Sequence, residues 1–238
     1  MKFVKTYGTG ILGIILIFAL VGFAEKKHSE RTVSGISIHI HPIEGGLFVT
    51  SEEAFEAMNL ESDSLRGYYT DEINISLLEE MLTTHPSVRQ AEVYFEMDGV
   101  LVAEVRQRRP ILRFFDGNTS YYWDEEGMQT PLSEHFTARV PLFFGQEPEK
   151  NELLNLVFAL RADPFFNAQV TGITKIEGDY VLTSRFGNHQ IVLGDLSNLN
   201  EKLDRLKLFY QKTQTDLGWE SYRTLNLKYA NQVVCTTN

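Results

Sequence analysis

Two histidines one residue apart, His39 and His41, are the pair of side chains most suggestive of chemistry in this chain. On an extended segment they share a face, as a metal pair requires. No Asp, Glu or Cys is evidently paired with them, so the pattern reads first as a solvated strand face. Acidic pairs occur at Glu52-Glu53, Glu79-Glu80 and Glu125-Glu126, but neighbours along a regular element point apart or into solvent rather than at one substrate atom. The chain lacks a G-x-S-x-G elbow, an H-E-x-x-H pair and a phosphate-cradling glycine loop. Cys235 is the single cysteine and lies near the terminus, away from any histidine, so neither an internal disulfide framework nor a multi-cysteine metal site is available. These residues point to a protein that is not an enzyme and uses no cofactor. A hydrolase built from carboxylates converging from distant positions is the outlying reading.

Composition narrows the partners. With 238 residues, 43% of them apolar and 23% charged, the chain holds one or two domains with cores and is not a disordered polymer. A formal charge of −10 without a Lys/Arg-rich run argues against nucleic acid. Thr6 to Ala24 carries no charge, and Lys2 and Lys5 precede it. As a helix this segment reaches roughly 28 Å, about the thickness of a bilayer's hydrocarbon core. It reads as a transmembrane helix over 6–24 with a cytoplasmic tail at 1–5, oriented by the two lysines. Gly22-x-Ala24 also fits a signal-peptidase site, so a cleaved leader is the competing reading. Either way the remaining chain is sent across the membrane, behind a polar juxtamembrane linker at 25–34.

The elements that would position any functional group follow from periodicity. Ile36, Ile38 and Ile40 alternate with Ser37, His39 and His41, a strand with one buried face. Thr50-x-x-Glu53 is a capping-box pattern ahead of a short helix carrying Ala54, Phe55 and Met58. A second helix is predicted from an Asn74 cap, with Ile75, Leu78, Met81 and Leu82 on its stripe, and His85-Pro86 ends it. Ala91, Val93, Phe95 and Met97 alternate with polar residues, as do Leu101, Ala103 and Val105 after Asp98-Gly99. That dipeptide suggests a two-residue type I′ hairpin. The order is β-α-α-β-β over 35–109, with one sheet edge or face left open to a partner and no indication of which strand is free.

After Pro110 the texture changes. Short aromatic-rich strands are expected at Ile111–Phe115 and Tyr121–Trp123, then a helix from about Pro148 to Arg161 that Asp163-Pro164 stops. Three strands between Val170 and Leu193 read as an antiparallel meander. A helix follows Asn198 with Leu199, Leu203, Leu206 and Phe209 on its stripe. Leu225, Leu227 and Tyr229 then alternate with Thr224, Asn226 and Lys228 in a terminal strand that continues through Asn231-Gln232-Val233-Val234. Tyr229 reads equally as core and as partner contact, and Lys228 as a solvated charge.

The run Pro86, Val88, Ala91, Val93, a hairpin, and Val105 to Arg109-Pro110 resembles the end of the POTRA domain in the bacterial division proteins FtsQ and DivIB. Gln107 stands where that family usually has glutamate. Asp124-Glu125-Glu126-Gly127, Pro141 to Gly145, Gly187 to Gly194, and Leu225 to Tyr229 resemble successive segments of the family's β-domain, with Asn226 and Lys228 replacing the usual Asp and Arg. The resemblance implies an α+β protein: a single transmembrane helix, a POTRA domain over 35–109, and a mostly antiparallel β-domain with two helices over 110–238. It further implies a noncatalytic divisome scaffold in the cell inner membrane, its N-terminus cytoplasmic and its domains periplasmic. The implied partners are FtsB and FtsL at the septum, FtsB adding a strand to an open edge at Asn226, Leu227, Lys228, Tyr229, Ala230 and Asn231. If the leader is cleaved, the same residues belong to a soluble periplasmic binding module.

Overall fold

The computed structural model describes residues 31–237 except 45, 116, 146–147 and 214–217. The expected anchor at 6–24 lies outside the described residues, and none of the described helices is long and apolar enough to cross a membrane. The chain forms two compact units, one ending at Gln107 and one beginning at Arg108.

The first unit runs β1 (Gly35–His41), α1 (Ser51–Ala57), α2 (Ile75–Thr84), β2 (Val88–Phe95) and β3 (Val100–Gln107), the expected β-α-α-β-β order. Local chemistry starts each helix. The Thr50 hydroxyl accepts from the Glu53 amide while the Glu53 carboxylate accepts from the Thr50 amide, closing the capping box. Asn74 Oδ1 accepts from the Leu77 amide at 3.1 Å. The sheet order is β1-β3-β2, with β1 parallel to β3 and β2 antiparallel to it. The last strand is therefore the centre, and Leu101, Ala103 and Val105 are fully buried beneath Leu78 and Leu82 of α2.

The hairpin differs from the two-residue turn that Asp98-Gly99 suggested. Gly99 has φ +86°, whereas Asp98 is not among the left-handed residues. The Gly99 amide donates to Glu96 C=O and the Glu96 amide to Val100 C=O, giving a three-residue loop with glycine at its bulge. Glycine is also required by space, because a Cβ there would lie 2.5 Å from the Thr32 carbonyl oxygen.

The second unit is built on a nine-stranded sheet ordered β12-β11-β10-β9-β8-β7-β4-β5-β6. In chain order its elements begin with β4 (Pro110–Phe115), β5 (Ser120–Asp124), β6 (Gln129–Thr130) and β7 (Leu142–Phe144), then α3 (Lys150–Ala162) and α4 (Pro164–Gln169). The meander β8 (Val170–Ile176), β9 (Asp179–Ser184), β10 (Gln190–Gly194) follows, then α5 (Leu199–Thr213), β11 (Tyr222–Asn226) and β12 (Val234–Thr237). Five of the pairings are antiparallel and three, β4·β7, β7·β8 and β10·β11, are parallel.

Register turns sequence alternation into one core layer. Tyr121, Phe114, Phe143, Ile173, Leu182, Ile191, Leu225 and Cys235 stand opposite one another in succession from β5 to β12. All eight pack in the core that α3, α4 and α5 cover, through residues such as Leu156, Phe166 and Leu206.

Three helices belong to this unit rather than the two expected. Asp163-Pro164 does stop α3, but Asp163 also caps α4 by accepting from the Phe165 amide at 2.8 Å, with Pro164 in the first turn where its missing N–H is harmless. Helix α3 itself starts after a Glu149 cap, leaving Pro148 outside it.

Candidate functional site

The C-terminal ribbon is where the sequence placed an open edge, and the structure moves that edge by one strand. Strand β11 arrives from α5 through Gly218, at φ +69°, and a single 3₁₀ turn at Trp219–Ser221. It enters the sheet between two neighbours. On one side Thr224, Leu225 and Asn226 pair with Gln190, Ile191 and Val192 of β10. On the other, Leu225 and Asn226 pair with Cys235 and Val234 of β12. The expectation that the strand through Tyr229 is the open border is thereby overturned.

The six residues expected to bind a partner divide into two groups. Asn226 is laddered on both sides. Leu227 is fully buried, its amide donating to Val192 C=O at 2.9 Å and its own C=O accepting from Arg205 Nη2 at 3.2 Å. Burying such a leucine side chain contributes about 1.5–3 kcal/mol, so Leu225 and Leu227 are fold residues. Lys228, Tyr229, Ala230 and Asn231 instead form an exposed turn, with Asn231 at φ +59° and the Lys228 amide donating to Asn226 Oδ1. Tyr229 is 52% exposed and is outside the core. The chain bends before a third inward position can be reached.

Lys228 is not a free charge. Its ammonium lies 2.6 Å from Asp179 Oδ2, and that carboxylate holds it above the usual lysine range. The same pattern continues into the adjoining cleft, lined by Asp195, Lys202, Arg205 and Asn231 among others. Lys202, nearly buried, donates to both the backbone and the carboxylate of Asp195. The Ser197 hydroxyl and Lys202 bring the Asp195 carboxyl down to about 2. Two ion pairs, Lys228–Asp179 and Lys202–Asp195, line this cleft, and Arg205 donates to Leu227 C=O at the start of the turn between β11 and β12.

Strand β12 is the border of the sheet among the described residues. Val234, Cys235, Thr236 and Thr237 hold their inner side against β11, and their outer backbone groups face no further strand. The strand carries no proline, lysine or other charge, the devices that usually blunt an edge. The opposite border, β6, has only two residues and is blunted by its length. Sequence alternation ended at Tyr229, so β12 appeared only as a continuation. Its signal was the apolar pair Val233-Val234 following the left-handed Asn231.

The remaining chemical candidates do not assemble. His41 Nε2 is 2.6 Å from Glu104 on β3, a partner that spacing along the chain could not suggest, while His39 lies 3.2 Å from the Ser37 hydroxyl. Among the described residues no cluster of three or more His, Cys, Asp or Glu is placed to hold a metal ion. The Cys235 thiol is pushed up by burial.

Residues 109–236 match the family described as FtsQ/DivIB, C-terminal related, which is more than half of the chain. Residues 31–106 match the POTRA-like domain. A solved structure similar to the chain is the major extracytoplasmic domain of the trans isomer of the bacterial cell division protein DivIB from Geobacillus stearothermophilus. It is 12% identical with a TM-score of 0.33, covering 47% of this chain and 98% of that one. No curated protein matches the chain.

Proposed function

The chain belongs to the FtsQ/DivIB, C-terminal related family, and from that premise we propose that it is a noncatalytic scaffold of the bacterial divisome whose β12 edge receives a strand from FtsB. FtsL is gathered with FtsB, and the assembly links early division proteins to septal wall synthesis. The scaffold is held in the inner membrane by residues 6–24, with residues 1–5 cytoplasmic and both folded units periplasmic.

The observation that carries this reading is the open, uncharged outer side of β12 at the end of a sheet whose other long strands are paired on both sides. Strand addition draws its affinity from backbone groups and its selectivity from nearby side chains. The exposed turn Lys228, Tyr229, Ala230 and Asn231 flanks the edge and supplies such side chains, the phenol of Tyr229 being the largest. Asn226 and Leu227 act beneath it by holding β11 in place.

Proline placed singly at Val234, Cys235, Thr236 and Thr237 tests the edge. Amides along a strand alternate in direction, so two alternating positions lose an outward donor and the other two weaken pairing to β11. FtsB capture by folded variants is expected to fall about tenfold at the outward pair, the equivalent of one lost ladder bond. Wild-type capture by every folded variant would refute strand addition at β12.

A further inference from the structure

The sheet of the first unit ends on two unlike borders. At β2, the Glu79 carboxylate carried by α2 accepts a hydrogen bond from the Val93 amide at 2.9 Å. Val93 lies within β2, and an amide bonded to a helix side chain is directed away from β3. Outward groups recur at every second residue, so a strand arriving at β2 needs this same donor within its ladder. The chain's own carboxylate stoppers that border.

Strand β1 is different. Among the described residues no strand pairs with its outer side. Ile36, Ile38 and Ile40 pack against the core yet remain only partly buried, while the residues in register with them on β3, Leu101, Ala103 and Val105, are fully buried. The apolar layer continues to the border and stops there unfinished.

We propose that β1 pairs antiparallel with β1 of a second copy of this chain, about a twofold axis through Ile38. The strand Gly-Ile-Ser-Ile-His-Ile-His is its own complement in that register. Ile38 meets Ile38 of the second copy, and Ile36 meets Ile40, which completes the apolar layer on the helix side. On the other face Ser37 meets His39, a hydroxyl opposite an imidazole, with no carboxylate on either side. A twofold pairing of β2 centred on Glu92 would instead set carboxylate against carboxylate. The product is a continuous six-stranded sheet. Pairing one strip of edge buries little area, so the dimer is weak and depends on concentration. The inference is independent of strand addition at β12.

The test uses the full-length chain with its single thiol removed by Cys235→Ser, carrying Ile38→Cys or, for comparison, Glu92→Cys on β2. Mild oxidation of the detergent-solubilised protein is expected to give several-fold more disulfide-linked dimer from Ile38→Cys. Equal yields, or more dimer from Glu92→Cys, overturn the proposal. Should Ile38→Cys fail to fold, Ser37→Cys and His39→Cys in separate chains carry the test from the opposite face. Dimer on mixing, several-fold above either variant alone, supports the twofold pairing, and no excess on mixing overturns it.

Discussion

Gln107 stands where the family resemblance leads one to expect glutamate, and its surroundings account for the amide. The side chain is buried at the end of β3, where Oε1 accepts from the amides of Phe48 and Val49 at 2.5 and 3.0 Å. Its Nε2 donates to His41 C=O at 2.7 Å. One side chain thus ties β3 to the end of β1 and to the loop that leads into α1. A carboxylate keeps the acceptors but sets an oxygen against the His41 carbonyl in a buried place. Gln107→Glu is therefore expected to lower stability by about 2 kcal/mol. Chemical denaturation reads this as a lower midpoint at unchanged slope. That position 107 departs from the family pattern is readable from the sequence. Its partners lie 58 to 66 residues away along the chain, and no local pattern names them. The same holds for His41, whose carboxylate partner, Glu104, comes from β3.

Among the elements, caps and alternation identified most helices and strands, while their neighbours were hidden. The Asn74 cap and the stripe of α2 are legible, yet nothing in the helix announces that Glu79 reaches the amide of Val93. Removing the carboxylate by Glu79→Ala leaves that donor without its partner and is expected to cost about 1 kcal/mol in denaturant unfolding. It also unstoppers β2. In the Cys235→Ser background, dimer formation through Glu92→Cys is expected to rise when Glu79→Ala is added, and an unchanged yield would show that the carboxylate does not guard the border. At the other end of the chain, Leu225 and Leu227 were readable as inward residues of a strand. Which strand closes the sheet was not, because an edge is defined by what fails to pair with it. Helix α4 is not legible in the sequence for a similar reason: six residues behind Asp163-Pro164 look like the end of one helix, and the side chain that ends α3 is the one that caps its successor.

For the molecule as a whole, the proposal that residues 6–24 anchor the chain in the inner membrane has a direct test. If residues 6–24 remain as an anchor, full-length protein stays with the membrane pellet through alkaline carbonate extraction. A soluble product lacking the residues up to Ala24 would show that the leader is cleaved. The sequence by itself determined the succession of elements in the first unit, the α+β class, the buried faces of the main strands and the absence of local catalytic motifs. These depend on periodicity and on capping groups a few residues apart. Only the tertiary structure decided that β3 is the centre of its sheet, that β11 is interior and, among the described residues, β12 the border, and that Glu79 closes one edge while β1 has no strand on its outer side. Hydrogen-bond pairing between strands joins residues far apart in the chain, and its energy depends on register in space, which alternation along one strand does not encode.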